Sequence, residues 1–273
     1  MDKISVFGGT GFVGSCFANL NRDRVVLIPR DVRSPRSKNI LYLISTTDNY
    51  NVFDDVHKDI DTNLSVLVDV LKNLKPGESV FNFVSSWFVY GSGKLPATEK
   101  SYCNPKGFYS ITKRCAEQLV ESYCKSFGIK YRILRLCNIY GKGDLNASKK
   151  KNAFQYLVEK MKCNEPIGLY HGGNIYRDYM HVKDVSRAIG LILAKGDCDS
   201  IYNVGSGDRV LFKDMIDIAY KEINSNSTVE TVAPPPFHEL VQVKDFFMET
   251  KRLFDLGFRP EISLDEGIKE LCQ

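Results

Sequence analysis

Lys3-Ile4-Ser5-Val6-Phe7-Gly8-Gly9-Thr10-Gly11-Phe12-Val13-Gly14 carries an apolar run into a glycine trio, Gly8, Gly11 and Gly14, spaced as GxxGxxG. Lys3 to Phe7, with Ile4, Ser5 and Val6 at the centre, predict a short buried strand that stops at glycine. Ser15 to Asn21 predict a short helix directly after the glycine turn. In that order the glycines have a physical use. The pyrophosphate of a dinucleotide needs backbone N–H groups and a helix N-terminus close to it. A side chain at the first or second glycine would obstruct that approach, and the third glycine lets the helix pack on the strand. An ordinary tight turn could use the same residues. The place of this one between a strand and a helix favours the dinucleotide reading.

Outward from this turn, strand and helix alternate. Val25 to Ile28 predict a second strand, stopped by Pro29, and Asn39 to Ser45 a third. Leu64, Leu67, Val68 and Leu71 recur at helical spacing within Thr62 to Asn73, which Pro76 and Gly77 terminate. Ser79 to Val84 predict a strand, Tyr109 to Phe127 a helix stopped by Gly128, and Lys130 to Leu136 another strand. Such alternation implies an α/β fold with a doubly wound parallel sheet. We expect residues 1–140 to form the dinucleotide-binding domain. Residues 141–273 would form a smaller α/β substrate-binding region, of which about 175–200 packs back on the first. Pro234 to Pro236 mark a loop or polyproline turn.

Composition limits the function classes. Hydrophobic residues make up 43% and charged residues 26%, which excludes disordered and collagen-like chains. No apolar run approaches the ~20 residues of a membrane helix, and the first residues do not resemble a signal peptide. The net charge of +4 is spread along the chain apart from Lys149, Lys150 and Lys151. It is too weak to argue for nucleic acid, though it suits an anionic ligand. None of the eight cysteines forms a CxxC pair, so metal-ribbon and redox readings have no support and no metal is expected. Most lie in apolar or helical contexts, as buried free thiols do. A cytoplasmic setting is the expectation.

Tyr109 and Lys113 are four apart on the predicted helix, which puts both on one face. A phenol is a poor acid or base near neutral pH unless its surroundings shift it, and a neighbouring ammonium would do so. Ser86, 23 residues upstream at a strand end, can hold the oxygen that Tyr109 protonates or deprotonates. At the end of the second strand, where NAD enzymes place an acidic residue on the ribose, the chain reads Pro29-Arg30-Asp31. Arg30 can pair with a 2′-phosphate, which favours NADP over NAD. Alternatively Arg30 is an exposed loop residue and Asp31 takes the ribose.

The sequence resembles an extended short-chain dehydrogenase/reductase of the NAD-dependent epimerase/dehydratase family, whose members modify nucleotide-linked sugars. The matching blocks are Gly-Gly-Thr-Gly-Phe-Val-Gly at 8–14, Ser-Ser-Trp-Phe-Val-Tyr-Gly at 85–91, and Pro105 through Lys113. They continue with Leu-Arg-Leu-Cys-Asn-Ile-Tyr-Gly at 134–141, Arg-Asp-Tyr-Met-His-Val-Lys-Asp-Val at 177–185, and Tyr-Asn-Val-Gly-Ser-Gly at 202–207. The resemblance implies a Rossmann-type sheet. It makes Ser86, Tyr109 and Lys113 catalytic, and it sets Gly8, Thr10, Gly11, Phe12, Val13 and Gly14 against the cofactor, joined there by Tyr109 and Lys113. Ser86, Tyr109, Asn138 and Arg177 would meet a nucleotide-sugar substrate, with Arg177 toward its phosphates. Asp178, His181 and Asp184 would brace their loop. It also implies a homodimer built on the Tyr–Lys helix.

Two departures from the family shape the expected activity. About ten residues separate the second and third predicted strands, so the family's usual third strand, the outer edge of the sheet, is missing together with its adenine-side contacts. Trp87 and Phe88 stand where dehydratases and decarboxylases of the family place an Asp or Glu, and neither can move a second proton. Hydride transfer at a sugar carbon remains, as keto reduction at C4. The alternatives are a nucleotide-sugar 4-epimerase with tightly bound NAD and, from another class, a non-catalytic cofactor or nucleotide-sugar binding protein.

Overall fold

A computed structural model describes residues 3–145, 147, 148 and 150–273. Lys149 therefore lies outside the described residues. Among the described residues the strands are β1 (Ile4–Phe7), β2 (Val25–Leu27), β3 (Asn39–Tyr42), β4 (Val80–Ser86), β5 (Lys130–Leu136), β6 (Asn138–Tyr140), β7 (Ile167–Tyr170), β8 (Tyr176–Arg177), β9 (Tyr179–His181), β10 (Ser200–Val204), β11 (Val210–Leu211) and β12 (Val229–Val232). The helices are α1 (Phe12–Leu20), α2 (Lys58–Ile60), α3 (Val66–Leu71), α4 (Phe108–Phe127), α5 (Ala153–Lys162), α6 (Val182–Lys195), α7 (Phe212–Ile223), α8 (Pro236–Val241), α9 (Lys251–Asp255) and α10 (Leu264–Cys272).

The central sheet runs β10-β5-β4-β3-β1-β2, parallel throughout. Both faces are covered, as an all-parallel sheet requires. The two-residue alternation sorts the side chains. Ile4, Val6, Leu41, Val84, Leu134 and Leu136 pack toward α1 and α6, against Phe17, Val185, Ala188, Ile189 and Ile192. Phe7, Ile40, Tyr42, Phe81, Phe83 and Ile133 pack toward α3 and α4, against Leu67, Val70, Ala116 and Val120. A third cluster joins α5, α7 and α10 to the parallel β7–β12 pair through Phe154, Val158, Met161, Ile167, Phe212, Met215 and Ile268.

The sheet ends at β2, with no strand beyond it among the described residues. Residues 28–38 cross from β2 over β1 to β3 without a helix. Ile28 and Val32 from this crossover join the α3–α4 core, and Ser5 of β1 bonds the Arg36 N–H at 2.8 Å and the Ser37 hydroxyl at 2.9 Å. A peptide link on that face replaces the usual covering helix.

Several boundaries differ from those read in the sequence. α1 starts at Phe12, because Gly11 already serves as its N-cap. β3 stops at Tyr42, where the chain leaves the ladder toward the cleft. The helix expected from Thr62 begins at Lys58 and passes through a π turn at Asp61–Ser65. Its buried face there carries Asp59 and Asn63, whose polarity hid the helical pattern. Asn63 accepts from the Thr46 N–H at 2.8 Å and donates to Thr112 of α4 at 2.9 Å. The proline run yields to α8, with Pro236 in its first turn, a position that needs no N–H. Of the eight free cysteines only Cys124 and Cys137 are buried. Cys163 is exposed and five are half-buried, against the expectation that most are buried. No helix among the described residues is long and apolar enough to cross a membrane.

α4 is fixed to the sheet by charge as well as by packing. Arg135 of β5 donates from Nε and Nη2 to the two Glu117 carboxylate oxygens at 2.9 and 2.7 Å, and Arg114 adds a third contact at 2.8 Å. Glu117 and Arg135 are 0% and 1% exposed. Burial disfavours the Glu117 carboxylate, but Arg135 outweighs it and holds the group below its usual range. Glu117→Ala leaves the guanidinium buried without its partner. We expect a loss of about 3–5 kcal/mol in unfolding free energy, measured by urea denaturation.

Candidate active site

A cleft of ≈ 960 Å³ lies along the C-terminal ends of β1, β3, β4 and β5, with α5, β7 and α8 opposite. Parallel sheets take ligands at this edge, and the volume reaches the upper end of the ~300–1,000 Å³ usual for ligand sites.

At one end stands the glycine turn. Gly8 has φ +77°, and a Cβ on Gly14 would sit 2.3 Å from the Gly8 carbonyl oxygen, so α1 lies directly on β1. Gly11 differs. A Cβ there would meet nothing in the protein closer than 3.5 Å, so the space beside it opens on the cleft. Gly11 caps α1 without a side-chain bond, and the first turn of α1 carries no acidic residue. Open N–H groups at the positive end of a nine-residue helix suit a diphosphate, so the turn fits a dinucleotide. Gly8, Gly11, Phe12, Val13 and Gly14 line the cleft. Thr10 is exposed and outside its walls. Arg30 is exposed too, on the crossover, its carbonyl taken by Arg33 at 2.6 Å. Between Gly14 and Leu43 no described residue lines the cleft, on the side where the sheet ends at β2.

Ser86, Tyr109 and Lys113 meet in the middle of the cleft wall. Ser86 ends β4 and caps the short turn Trp87–Val89, its Oγ accepting from the Phe88 N–H at 3.3 Å. Tyr109 is in the first turn of α4. Burial pushes its phenol up to about 12, with the Ser86 hydroxyl pulling the other way. Lys113, one turn on, donates to the Val84 carbonyl at 2.7 Å and sits 4.3 Å above the Phe83 ring. Burial pulls it down to about 7, with Glu117 opposing. Near pH 7 the site therefore holds a protonated phenol beside an easily deprotonated amine. The Phe88 ring stands edge-on to Tyr109, centroids 5.8 Å apart. Trp87 turns into the core, stacked on Phe246 at 4.6 Å.

Asn138 and Arg177 also line the cleft. Asn138 donates to the Asp178 carbonyl at 3.2 Å. The Arg177 guanidinium donates to the carbonyls of Tyr176, Lys244 and Val243 and lies over Trp87, so reaching a phosphate would require it to give up carbonyl partners. Asp178 accepts from Ser206, Gly207 and Met248. Asp184 accepts from the Glu261 and Ile262 N–H groups, and His181 caps α6.

Other cleft residues escaped sequence reasoning. Asp48, Asn49 and Tyr50 follow β3, and Lys160 comes from the C-terminal part, as do Lys150 and Lys151 of the basic cluster already distinct in the sequence. Asn49 Oδ1 accepts from Ser110 N and Oγ, both at 3.2 Å, and Tyr50 bonds His238 Nδ1 across the cleft at 2.8 Å. The available signal was position: a polar run directly after a strand of a parallel sheet lies at its ligand edge.

Residues 47–205 match the NAD dependent epimerase/dehydratase family. The chain belongs to that family, within the extended short-chain dehydrogenases/reductases. Among its relatives in the family, a Methanocaldococcus jannaschii protein provisionally assigned as UDP-glucose 4-epimerase is 26% identical over 98% of this chain and 96% of its own. The dTDP-4-dehydro-6-deoxyglucose reductase of Escherichia coli is 25% identical over 86% and 74%. The fold matches that of RMD from Pseudomonas aeruginosa, solved with NADPH, at a TM-score of 0.85 and 20% identity over 100% and 98% of the two chains. Family relatives are nucleotide-sugar epimerases, dehydratases and reductases.

The buried lysine sets a pH dependence. An unfolded lysine keeps its proton to about pH 10.4, whereas folded Lys113 releases it near 7. Between these values the unfolded chain binds more protons, so stability rises with pH across that window. Lys113→Met should lack this rise. Urea midpoints of both proteins, compared from about pH 7 to about pH 9, measure the difference.

Proposed function

We propose that the chain is an NAD(P)-dependent reductase acting at a 4-keto group of a nucleotide-linked sugar. The reading is carried by one arrangement. A protonated phenol, Tyr109, faces Ser86, and the neighbouring position holds the Phe88 ring instead of a carboxylate able to move a second proton. Keto reduction asks the protein for one proton only.

In this reading Gly8, Gly11, Phe12, Val13 and Gly14 hold the diphosphate end of the cofactor, and Tyr109 and Lys113 its nicotinamide end. A bound nicotinamide cofactor supplies the hydride. Ser86 Oγ donates a hydrogen bond to the C4 oxygen. Tyr109 gives its proton to that oxygen as C4 is reduced, and Lys113, with its low proton affinity, replaces the proton on Tyr109 from solvent. Asn138 contacts the sugar nucleotide. Lys150, Lys151 and Lys160 present ammonium groups to the diphosphate more readily than Arg177, whose donors are engaged by carbonyls. NADP is preferred through the crossover arginines Arg30, Arg33 and Arg36. Residues 1–140 with the returning α6 and β10 serve the cofactor, and the rest of 141–273 serves the sugar nucleotide. The eight free thiols suit the cytoplasm.

A homodimer is supported by two apolar stripes at four-residue spacing. Ile60, Leu64 and Val68 lie on the helix that ends as α3, and Ile111, Cys115 and Leu119 on α4, each with exposed members. Ile111→Asp should give a monomer by light scattering.

The test is turnover of NADPH with a nucleotide-linked 4-keto-6-deoxyhexose. We expect Tyr109→Phe to lower kcat by about 10²–10⁴-fold while titrations still show cofactor and sugar-nucleotide binding. A second reading, 4-epimerase, is favoured by the full-length likeness to the Methanocaldococcus jannaschii protein. NAD released from the purified protein, identified by mass spectrometry, would establish it over the reductase. NADPH fluorescence changes without any turnover would instead indicate a binding protein.

A further inference from the structure

Two carboxylates line the cleft, those of Asp48 and Asp144. Asp144 faces Lys151 at 3.3 Å and Asn152 at 3.2 Å. Asp48 has no cation partner among the described residues. Its Oδ1 accepts from the Tyr50 N–H at 2.8 Å, and its Oδ2 meets no donor there. The loop holding it is fixed on both sides. Asn49, the next residue, is 1% exposed and tied to Ser110, the neighbour of Tyr109 in α4. Tyr50 is tied to His238 across the cleft. The loop that carries Asp48 is thus tied to the turn of α4 that carries Tyr109. After burial and Asp59, the Asp48 charge is a further influence keeping that phenol protonated.

We propose that Asp48 is the sugar-recognising carboxylate of this cleft: its free oxygen accepts hydroxyl hydrogen bonds from a neutral hexosyl unit and its charge rejects a hexuronate. The proposal rests on the nucleotide-sugar reading above and narrows it to neutral sugars. A carboxylate is an acceptor only, so its partners must be donors. Sugar hydroxyls are donors, whereas phosphates and a sugar carboxylate are not. Cleft cations come from Lys113 and Arg177, both held by backbone carbonyls, and from Lys150, Lys151 and Lys160, which lie toward Asp54, Asp144 and Glu165. None of them neutralises Asp48, so a second negative charge placed beside it would be repelled.

Asp48→Asn removes the charge and keeps the cap on the turn that follows, since Asn caps as well as Asp. Asp48→Ser is a second uncharged capping variant, for use if the first melts early. Calorimetric titration of the full chain in the presence of NADPH compares UDP, UDP-glucose and UDP-glucuronate, with the dTDP and GDP counterparts in parallel. The expected result is tighter binding of the glucose than of the glucuronate conjugate by the native protein. In the variants the glucose conjugate should weaken by about 10–100-fold, the nucleoside diphosphate alone should bind unchanged, and the discrimination between the two sugars should collapse. A glucose-to-glucuronate ratio unchanged in the variants overturns the proposal. So does a variant that loses turnover while keeping that ratio, because Asp48 would then be moving a proton. A native protein that binds none of these nucleotides overturns the nucleotide-sugar reading itself, an outcome separate from the behaviour of the variants.

Discussion

Arg135 on β5 grips Glu117 on α4 through two parallel hydrogen bonds, and neither side chain has meaningful contact with water. Tyr109, Lys113 and Glu117 recur every four residues and so share one face of α4. Anchoring Glu117 fixes the rotation of the helix about its axis. That rotation delivers Lys113 to the Val84 carbonyl and Tyr109 to the end of β4, where Ser86 waits. A bidentate arginine–carboxylate contact is directional in a way that apolar packing is not. A slip of one residue along α4 would turn all three groups out of the sheet edge together. The geometry of the candidate site is therefore set largely from below, by a charge pair that touches no part of the cleft.

The opposite wall has a different kind of support. The loop after β3 is held by polar contacts distant in sequence: Asn49 with Ser110, Asn63 with Thr46 and Thr112, Tyr50 with His238. Thr112 and Ser110 belong to α4, so the helix that carries Tyr109 and Lys113 also positions the loop that carries Asp48. Loss of the outer edge strand leaves this network intact, because the trimmed region lies at β2, on the far side of β1. The sheet is short at its β2 edge, while the polar framework near the Tyr109 phenol is complete.

Much of this architecture was legible in the residues. β5 runs over Lys130–Leu136 as its apolar pattern indicated, and Gly128 stops α4 in the left-handed conformation, φ +64°. The glycine spacing located the turn on which α1 rests, and the four-residue interval of Tyr109 and Lys113 placed both in one wall. These features depend on local geometry: strand alternation, helical repeat, the freedom of glycine. What was not legible depends on contacts across long sequence separations. The helix beginning at Lys58 was read as starting late, because Asp59 and Asn63 look like surface residues until the Thr46 and Thr112 side chains are seen against them. The family resemblance set Arg177 toward phosphate, whereas the carbonyls its nitrogens meet, those of Tyr176, Val243 and Lys244, could not be read from the sequence. Asp48 and Lys150 gave no periodic signal at all, since loop side chains are directed by what the loop is tied to.

Burial of Lys113 bears on the choice among activities. Placing an ammonium where burial pulls its proton affinity down to about 7 opposes folding at neutral pH and below. A protein that only bound a cofactor would have no use for that cost, whereas a phenol that must regain a proton on each cycle needs a group that exchanges protons near neutrality. The short β2 edge pushes in the same direction. No described residue between Gly14 and Leu43 lines the cleft, so in the proposed reading the adenosine half of the cofactor would rest mainly on the exposed crossover rather than on the cleft wall. A weaker hold on that half would speed release. An epimerase, which must retain its cofactor through oxidation and re-reduction of one sugar, is handicapped by it, while a reductase, which must exchange its cofactor at every turnover, is not. The buried amine and the shortened edge thus favour the same chemistry for unrelated physical reasons, one through proton exchange and the other through cofactor exchange.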